Sequence, residues 1–277
     1  MDKESVWLGP LRQPVRMLAI ILVALTGVLY VWLIGNRMFV EDAIGMHEMI
    51  RPEGRPIVSV MLYLMLASMI FVSVYLSDFI GTIEQRPSGF FDTLSLVTSR
   101  TAMILTGLTV LVMFYEVVSR YVFSRPTLWA NELSLWIAAF VFLFAGQYAM
   151  QQRCHIRIFL LYDVMPRWLQ RGCDMFSALL LATFAFFMVY GSYSQVFYTK
   201  FYKWEMFGTA FDPPIPATLK PMVLLIVSMV AIQAVINLVS DWNAEPVIHT
   251  AADDIDEDEL ARLRAAVGAE GTGDLDV

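Results

Sequence analysis

Residues 115–158 decide the fold of this chain and read YEVVSRYVFSRPTLWANELSLWIAAFVFLFAGQYAMQQRCHIRI. The stretch begins with the end of one apolar run, crosses a polar turn at 124–127, and continues into a second run long enough to span a membrane. It ends in a basic segment that carries Arg153 and Arg157. Charged and aromatic residues therefore lie where hydrocarbon meets headgroups, which predicts two membrane-spanning helices joined by a short turn.

The composition of the whole chain agrees with a membrane protein. Hydrophobic residues make up 58% and charged residues 16%, whereas soluble domains lie nearer one half and one quarter. Six spans of about 20 residues each would occupy about 120 positions, so the 277 residues leave no room for a sizeable soluble domain. A net charge of -7 gives no indication of nucleic-acid binding.

Six apolar runs predict an all-α, polytopic fold with about six transmembrane helices. The runs lie at 15–34, 56–80, 94–121, 131–150, 174–197 and 221–239. A cleaved signal peptide is the rival interpretation of the first run, but its length and the absence of a small-x-small site favour a retained helix. Asn131 is predicted to cap the fourth span, and Pro213, Pro214 and Pro216 predict that the loop before the sixth span is not helical throughout.

Three regions are predicted along the chain. Residues 1–90 form an N-terminal two-helix extension, and residues 91–243 form a four-helix unit. The linker at 81–93, which contains Pro87 and the pair Phe90 and Phe91, marks the boundary between them. Residues 244–277 form an acidic tail, a composition that is typical of solvated segments.

The ordered motifs of the central stretch resemble those of a known family, the small membrane subunit of tripartite ATP-independent periplasmic (TRAP) transporters. The resemblance covers roughly residues 95–242 and departs from the family at Phe159, where the family usually has an acidic residue. The motif positions in this chain are Arg120, Tyr121, Phe123, Trp129, Glu132, His155, Ile156 and Arg157.

The resemblance implies an accessory role in ion-driven solute uptake, as in solute:sodium symport. The implied partners are a large permease subunit, which holds the solute and ion sites, and a periplasmic solute-binding protein. It also implies a bacterial inner-membrane location with both termini in the cytoplasm. Lys and Arg in the loops favour that orientation weakly. The alternative function is a cofactor-free anchor or assembly subunit of a membrane enzyme complex, such as a respiratory one.

Arg120 and Glu132 are the first candidates for a structural role, because they lie near one membrane boundary on consecutive helices. An interhelical ion pair between them would fix the third and fourth spans and present a surface to another subunit. Two alternatives stay open. Arg120 can pair locally with Glu116, four residues earlier, or Arg120 and Arg125 can bind phospholipid headgroups.

Aromatic and basic residues near the predicted boundaries are further candidates for subunit or lipid contacts. Trp129 and Trp136 are predicted to contact another subunit or lipid. For Trp129 and Trp168, the favoured role is anchoring in the headgroup region. His155 and Arg157 belong to the basic exit from the fourth span. Ala145 and Ala149 form a small-x-x-x-small pair that permits close approach of another helix.

No catalytic, metal or cofactor site is predicted, and the chain is expected not to be an enzyme. The three histidines, His47, His155 and His249, all lie outside the predicted spans, whereas a membrane cytochrome needs histidines within its helices. Cys154 and Cys173 have no framework of paired cysteines around them and are predicted to be free thiols in the connection before the fifth span.

Overall fold

The computed structural model describes residues 5–40, 44–50, 55–81, 84–153 and 165–243. All regular structure in these ranges is helical, and six helices are long and apolar enough to cross a membrane. The predictions of an all-α fold and of six spans are therefore confirmed. The helices are α1 (Arg12–Phe39), α2 (Met46–Met49), α3 (Pro56–Ser77), α4 (Phe90–Tyr121), α5 (Trp129–Gln151), α6 (Arg167–Ser194) and α7 (Ile215–Asp241).

Two short segments extend these helices. A 3-10 turn at Gly9–Leu11 leads directly into α1, and a π-helical segment at Gln195–Phe201 continues α6. With that segment, the fifth span runs over 35 residues, Arg167–Phe201. At 1.5 Å per residue this is about 52 Å, well beyond the roughly 30 Å hydrocarbon core of a bilayer.

Three helix boundaries differ from the prediction. Helix α4 begins at Phe90, directly after Gly89, so the paired phenylalanines belong to its first turn and not to the linker. Helix α5 begins at Trp129, so Asn131 lies inside the helix and does not cap it. Helix α7 begins six residues before the predicted start, because Pro216 occupies one of the first two positions, where no N–H is needed.

The cysteines also require one correction. Cys173 is a free thiol, as expected, but it lies inside α6 and not in the connection that precedes that helix. Cys154 lies outside the described residues.

Each long helix packs against one or two others, in the order α1, α3, α4, α5, α7 and α6, with a smaller contact between α4 and α7. At one end of α1 and α3, the loop with α2 contributes Ile44 and Met49 to a buried apolar cluster with Val58 and Met61. Much of the remaining helix surface is apolar and exposed, as expected of helices whose solvent is lipid.

The two-helix extension meets the rest of the chain through α3. The hydroxyl of Thr101 in α4 donates a hydrogen bond of 2.9 Å to the hydroxyl of Ser73 in α3. At the far end of the extension, the His47 ring makes an edge-to-face contact with buried Phe211, at 5.5 Å between ring centroids. The extension therefore contacts its neighbours both within the apolar layer and at its loop.

Candidate structural and subunit-interface site

Glu116 is the carboxylate that closes the turn between α4 and α5. It is buried, and one of its oxygens accepts hydrogen bonds from Nε and Nη2 of Arg120, the first at 2.9 Å. The other oxygen accepts from the backbone N–H of Thr127 at 3.0 Å and from the Thr127 hydroxyl. A single charged group thus links the last turns of α4 to the residues just before α5.

The predicted ion pair between Arg120 and Glu132 is wrong. Arg120 forms the local i,i+4 pair with Glu116, which needs no long-range positioning. Glu132 instead accepts a hydrogen bond of 2.5 Å from the hydroxyl of Thr209, in the loop before α7. The two residues therefore fix different contacts: α4 to the α4–α5 turn, and α5 to the loop that leads into α7.

The tryptophans of α5 contact neighbouring segments of the chain. The Trp129 ring stacks on Tyr115 of α4, with centroids 5.7 Å apart and planes 27° from parallel. The indole N–H of Trp136 donates a hydrogen bond of 2.9 Å to the Thr218 hydroxyl in α7. Trp168 is 73% exposed, a position that suits a headgroup anchor. Trp129 and Trp136 thus join α5 to both of its neighbours.

The remaining candidates split into two groups. The Arg125 side chain is exposed and makes no hydrogen bond or ion pair with another described residue, while its backbone N–H bonds to the Ser119 carbonyl at 2.9 Å. His155 and Arg157 lie outside the described residues.

A second charged centre joins the helices at the opposite membrane face. Glu84, in the linker before α4, accepts hydrogen bonds from Arg100 at 2.6 Å, from the Tyr148 hydroxyl at 2.5 Å and from the Gly81 N–H at 2.8 Å. Burial raises the pKa of Glu84, but the hydrogen bonds from Arg100, Tyr148 and Gly81 together lower it by more. The pKa therefore lies below its ordinary value. The ionised carboxylate therefore holds the linker, α4 and α5 together.

An ion pair connects the same ends of α5 and α7. Arg153 donates two hydrogen bonds to the carboxylate of Asp241, at 2.5 and 2.7 Å, and a third to the side chain of Gln85. The backbone carbonyl of Asp241 also accepts from Arg167, at the start of α6, at 3.3 Å. Bidentate arginine–carboxylate pairs of this kind fix orientation as well as distance.

A buried polar layer crosses the helices just inside this face, and the sequence interpretation missed it. Asp92 accepts from the amide of Gln233 in α7 at 2.7 Å and from Ser88, and Gln233 also donates to Asn237 at 3.0 Å. Asn237 in turn donates to the Met150 carbonyl of α5 at 2.7 Å. The available signal was the i,i+4 spacing of Gln233 and Asn237 within an otherwise apolar run.

A third carboxylate, Asp78, follows the last residue of α3 and has no exposed side-chain surface. Its Oδ1 atom accepts four hydrogen bonds of 2.9–3.0 Å from the segment before α1, given by the Ser5 hydroxyl and by the backbone N–H groups of Val6, Trp7 and Leu8. The Nε atom of Arg12 lies 3.4 Å from Oδ2. Asp78 therefore caps the start of α1 from the end of α3.

Within the described residues, no group of three or more His, Cys, Asp or Glu side chains is arranged to hold a metal ion. Three ion pairs, Arg100–Glu84, Arg120–Glu116 and Arg153–Asp241, instead lie near the two membrane faces. Together with the six spans, these contacts define the class of molecule: a multi-spanning helical membrane protein whose polar residues hold helices together.

Residues 109–244 match the family described as "Tripartite ATP-independent periplasmic transporters, DctQ component". This region runs from the middle of α4 past the end of α7 and resembles the small permease subunits of TRAP transporters. The resemblance drawn from the sequence is therefore confirmed, and the family is one of transporter components and not of enzymes. No curated protein and no solved structure gives a significant match to the chain.

Proposed function

We propose that this small permease subunit is a static scaffold for the large membrane subunit of its transporter. In TRAP systems the DctQ component works with a large membrane subunit and a periplasmic binding protein. Solute uptake would be driven by an ion gradient, with sodium as the proposed coupling ion. The observation that carries the scaffold role is the cross-linking of α4, α5 and α7 at both membrane faces by Glu116, Glu132, Glu84 and Arg153.

The contacts at both ends support a static part better than a moving one. A helix that slid or tilted during transport would have to break charge-assisted hydrogen bonds at one face or the other. A carrier of its own would also be expected to show interrupted helices around a midplane site. The test is reconstitution into liposomes with and without the partner subunits. Ion-driven uptake by this chain alone would refute the accessory role.

We further propose that the large subunit packs on one face of α5. Residues at helical spacing on this face are exposed or half-buried, and Phe142 is 77% exposed. A side chain added at Gly146 would meet nothing within 4 Å in this chain, so the backbone is open to close approach by another helix. The face is formed by Leu135, Phe142, Ala145, Gly146 and Ala149.

The experiment uses Gly146→Leu and a matched control, Gly191→Leu. Gly191 lies in α6 and is exposed, and a Cβ atom added there would also meet nothing within 4 Å, so the two sites are matched in the space around the backbone. We expect Gly146→Leu to lower co-purification with the large subunit and Gly191→Leu to leave it unchanged. Equal recovery of both complexes would place the large subunit elsewhere.

The proposed membrane orientation has both termini in the cytoplasm. It is supported by Arg100, Arg153, Arg167 and Arg171, which all lie toward the same ends of the helices. The other proposals are that residues 1–90 widen the scaffold, that 244–277 form a cytoplasmic tail, and that Arg125 contacts phospholipid headgroups on the opposite face. Reporter fusions at the two termini would test the orientation, and periplasmic signals from both would overturn it.

A further inference from the structure

A cleft lies at the start of α1, and the proposed scaffold role does not explain it. Its volume is about 280 Å³, and it lies between the first turns of α1 and the last turn of α3. At about 30 Å³ per water molecule, this space could hold roughly nine waters. It is therefore large enough for a phosphate group and part of what the phosphate is attached to. Its lining residues are Ser5, Gly9, Pro10, Arg12, Gln13, Arg16 and Tyr75.

Three hydrogen-bond donors that line this cleft are uncommitted. The guanidinium of Arg16, the side-chain amide of Gln13 and the hydroxyl of Tyr75 make no hydrogen bond or ion pair with another described residue. Arg12 lies one helical turn before Arg16, on the same face of α1. Uncommitted donors of this kind, gathered around one concavity, are suited to bind an oxygen-rich anion.

The described residues that line the cleft carry positive charge and no negative charge. Arg12 is balanced by Asp78, whose Oδ2 atom lies 3.4 Å from its Nε atom, and Asp78 itself is fully buried and does not line the cleft. The charge of Arg16 is left without a partner among the described residues. A ligand with a net negative charge would therefore be favoured over a zwitterionic one.

The cleft lies at the depth of lipid headgroups. The first span, Gly9–Asn36, has 28 residues and a length of about 42 Å, so it exceeds a hydrocarbon core of about 30 Å by roughly two helical turns in total. If the excess is shared between both ends, Arg16 lies about one turn inside the boundary, within reach of the headgroups by extension of its side chain. Ile20, one turn further along the same face, is 58% exposed and continues the surface into the apolar layer.

We propose that this cleft binds the phosphate of an anionic phospholipid, with Arg16, Gln13 and Tyr75 as donors and the acyl chains along the exposed face of α1. Free phosphate would satisfy the same donors. The position at the membrane boundary and the apolar surface directly beside Arg16 favour the lipid as the source.

The experiment measures binding of phosphatidylglycerol to the full-length chain in detergent micelles by native mass spectrometry. Three variants are compared with wild type: Arg16→Gln, Arg16→Lys and Lys203→Gln. Lys203→Gln is the control, because it also removes one positive charge. Lys203 is exposed and lies beyond α6 at the opposite membrane face. One basic residue at a membrane surface contributes about a fivefold change in affinity for anionic lipid.

We expect Arg16→Gln to weaken phosphatidylglycerol binding about fivefold, Arg16→Lys to retain part of the affinity, and Lys203→Gln to match wild type. Phosphatidylcholine should bind wild type and Arg16→Gln equally. The proposal is overturned if Arg16→Gln binds phosphatidylglycerol as well as wild type does, or if phosphatidylcholine competes equally. It is also overturned as a lipid site if inorganic phosphate alone displaces phosphatidylglycerol from wild type.

Discussion

Replacement of Asp78 should release the segment before α1 from the end of α3. The carboxylate accepts four hydrogen bonds of 2.9–3.0 Å through Oδ1, three of them from consecutive backbone N–H groups, and it has no exposed surface. With Asp78→Ala, those N–H groups lose their acceptor and Arg12 loses its ion pair with Asp78. The expected effect is local opening of the segment, with the long helices still in place.

The magnitude follows from the kind of contact that is lost. Removal of one partner of a well-buried charged pair costs about 3–5 kcal/mol. Arg12 retains some exposure, with 17% of its side-chain surface accessible, so the lower end of that range, about 3 kcal/mol, applies. Asp78→Asn keeps an oxygen acceptor but loses the charge. Because charge-assisted hydrogen bonds are about twice as strong as neutral ones, that variant should cost about 1–2 kcal/mol.

Hydrogen exchange at the amides of Val6, Trp7 and Leu8 gives the readout, because these three groups donate directly to Asp78. A loss of about 3 kcal/mol corresponds to exchange that is faster by about a hundredfold. The control is Glu205→Gln, which removes a carboxylate near the opposite membrane face that pairs with Lys200. Unchanged exchange at these amides in Asp78→Ala would refute the reasoning.

The same contact should respond to pH. Burial raises the pKa of Asp78, but the hydrogen bonds from Trp7, Leu8, Ser5 and Val6 together lower it by more. The pKa therefore lies below its ordinary value. The stabilisation is therefore present above an ordinary aspartate pKa of about 4 and is lost as pH falls through the lower pKa of the folded chain. Exchange in wild type should be insensitive to protonation of Asp78 between about pH 7 and 5, after correction for intrinsic exchange rates, and should rise only under stronger acid.

Three further predictions concern two contacts within the four-helix unit and the removal of the two helices that precede it. Glu116→Ala should lower the thermal unfolding midpoint more than Arg120→Ala does, because only Glu116→Ala leaves the Thr127 N–H without its acceptor; equal midpoints in the two variants would contradict this. Because the pKa of Glu84 is lowered, its contribution is present above an ordinary value of about 4.3 and is lost on acidification below it, so the midpoint should fall under acid in wild type and less in Glu84→Gln. A chain that begins at Gly89 should still insert and co-purify with the large subunit; normal assembly with complete loss of transport would instead assign the missing two helices a part in the mechanism.

The spans were predictable because their signal is summed over about 20 residues, so single errors at the ends do not matter. The ends themselves depend on single residues. The start of α7 was misplaced because Pro216 was interpreted as a helix breaker, whereas proline is tolerated in the first turn of a helix. Position 131 was likewise assigned to a cap because asparagine favours caps, but α5 begins two residues earlier.

The polar contacts were less predictable, for a physical reason. The sequence left Arg120 free to pair with Glu116 or with Glu132, and only the positions of α4 and α5 in space decide between the two. The contacts of Asp78 and of Gln233 join residues about 70 and 141 positions apart, a separation at which no periodic pattern in the sequence gives a signal.

The cap that Asp78 provides also has a consequence for the synthesis and membrane insertion of the protein. Its donors at residues 6–8 leave the ribosome 70 residues or more before Asp78 does, which at about 5–20 residues per second is a delay of about 4–14 s. Until then the start of α1 has no acceptor from α3. The contact can close only after two successive spans have entered the bilayer, because only then does the end of α3 lie at the same membrane face as the start of α1. Insertion of α3 is therefore the step that completes the start of α1.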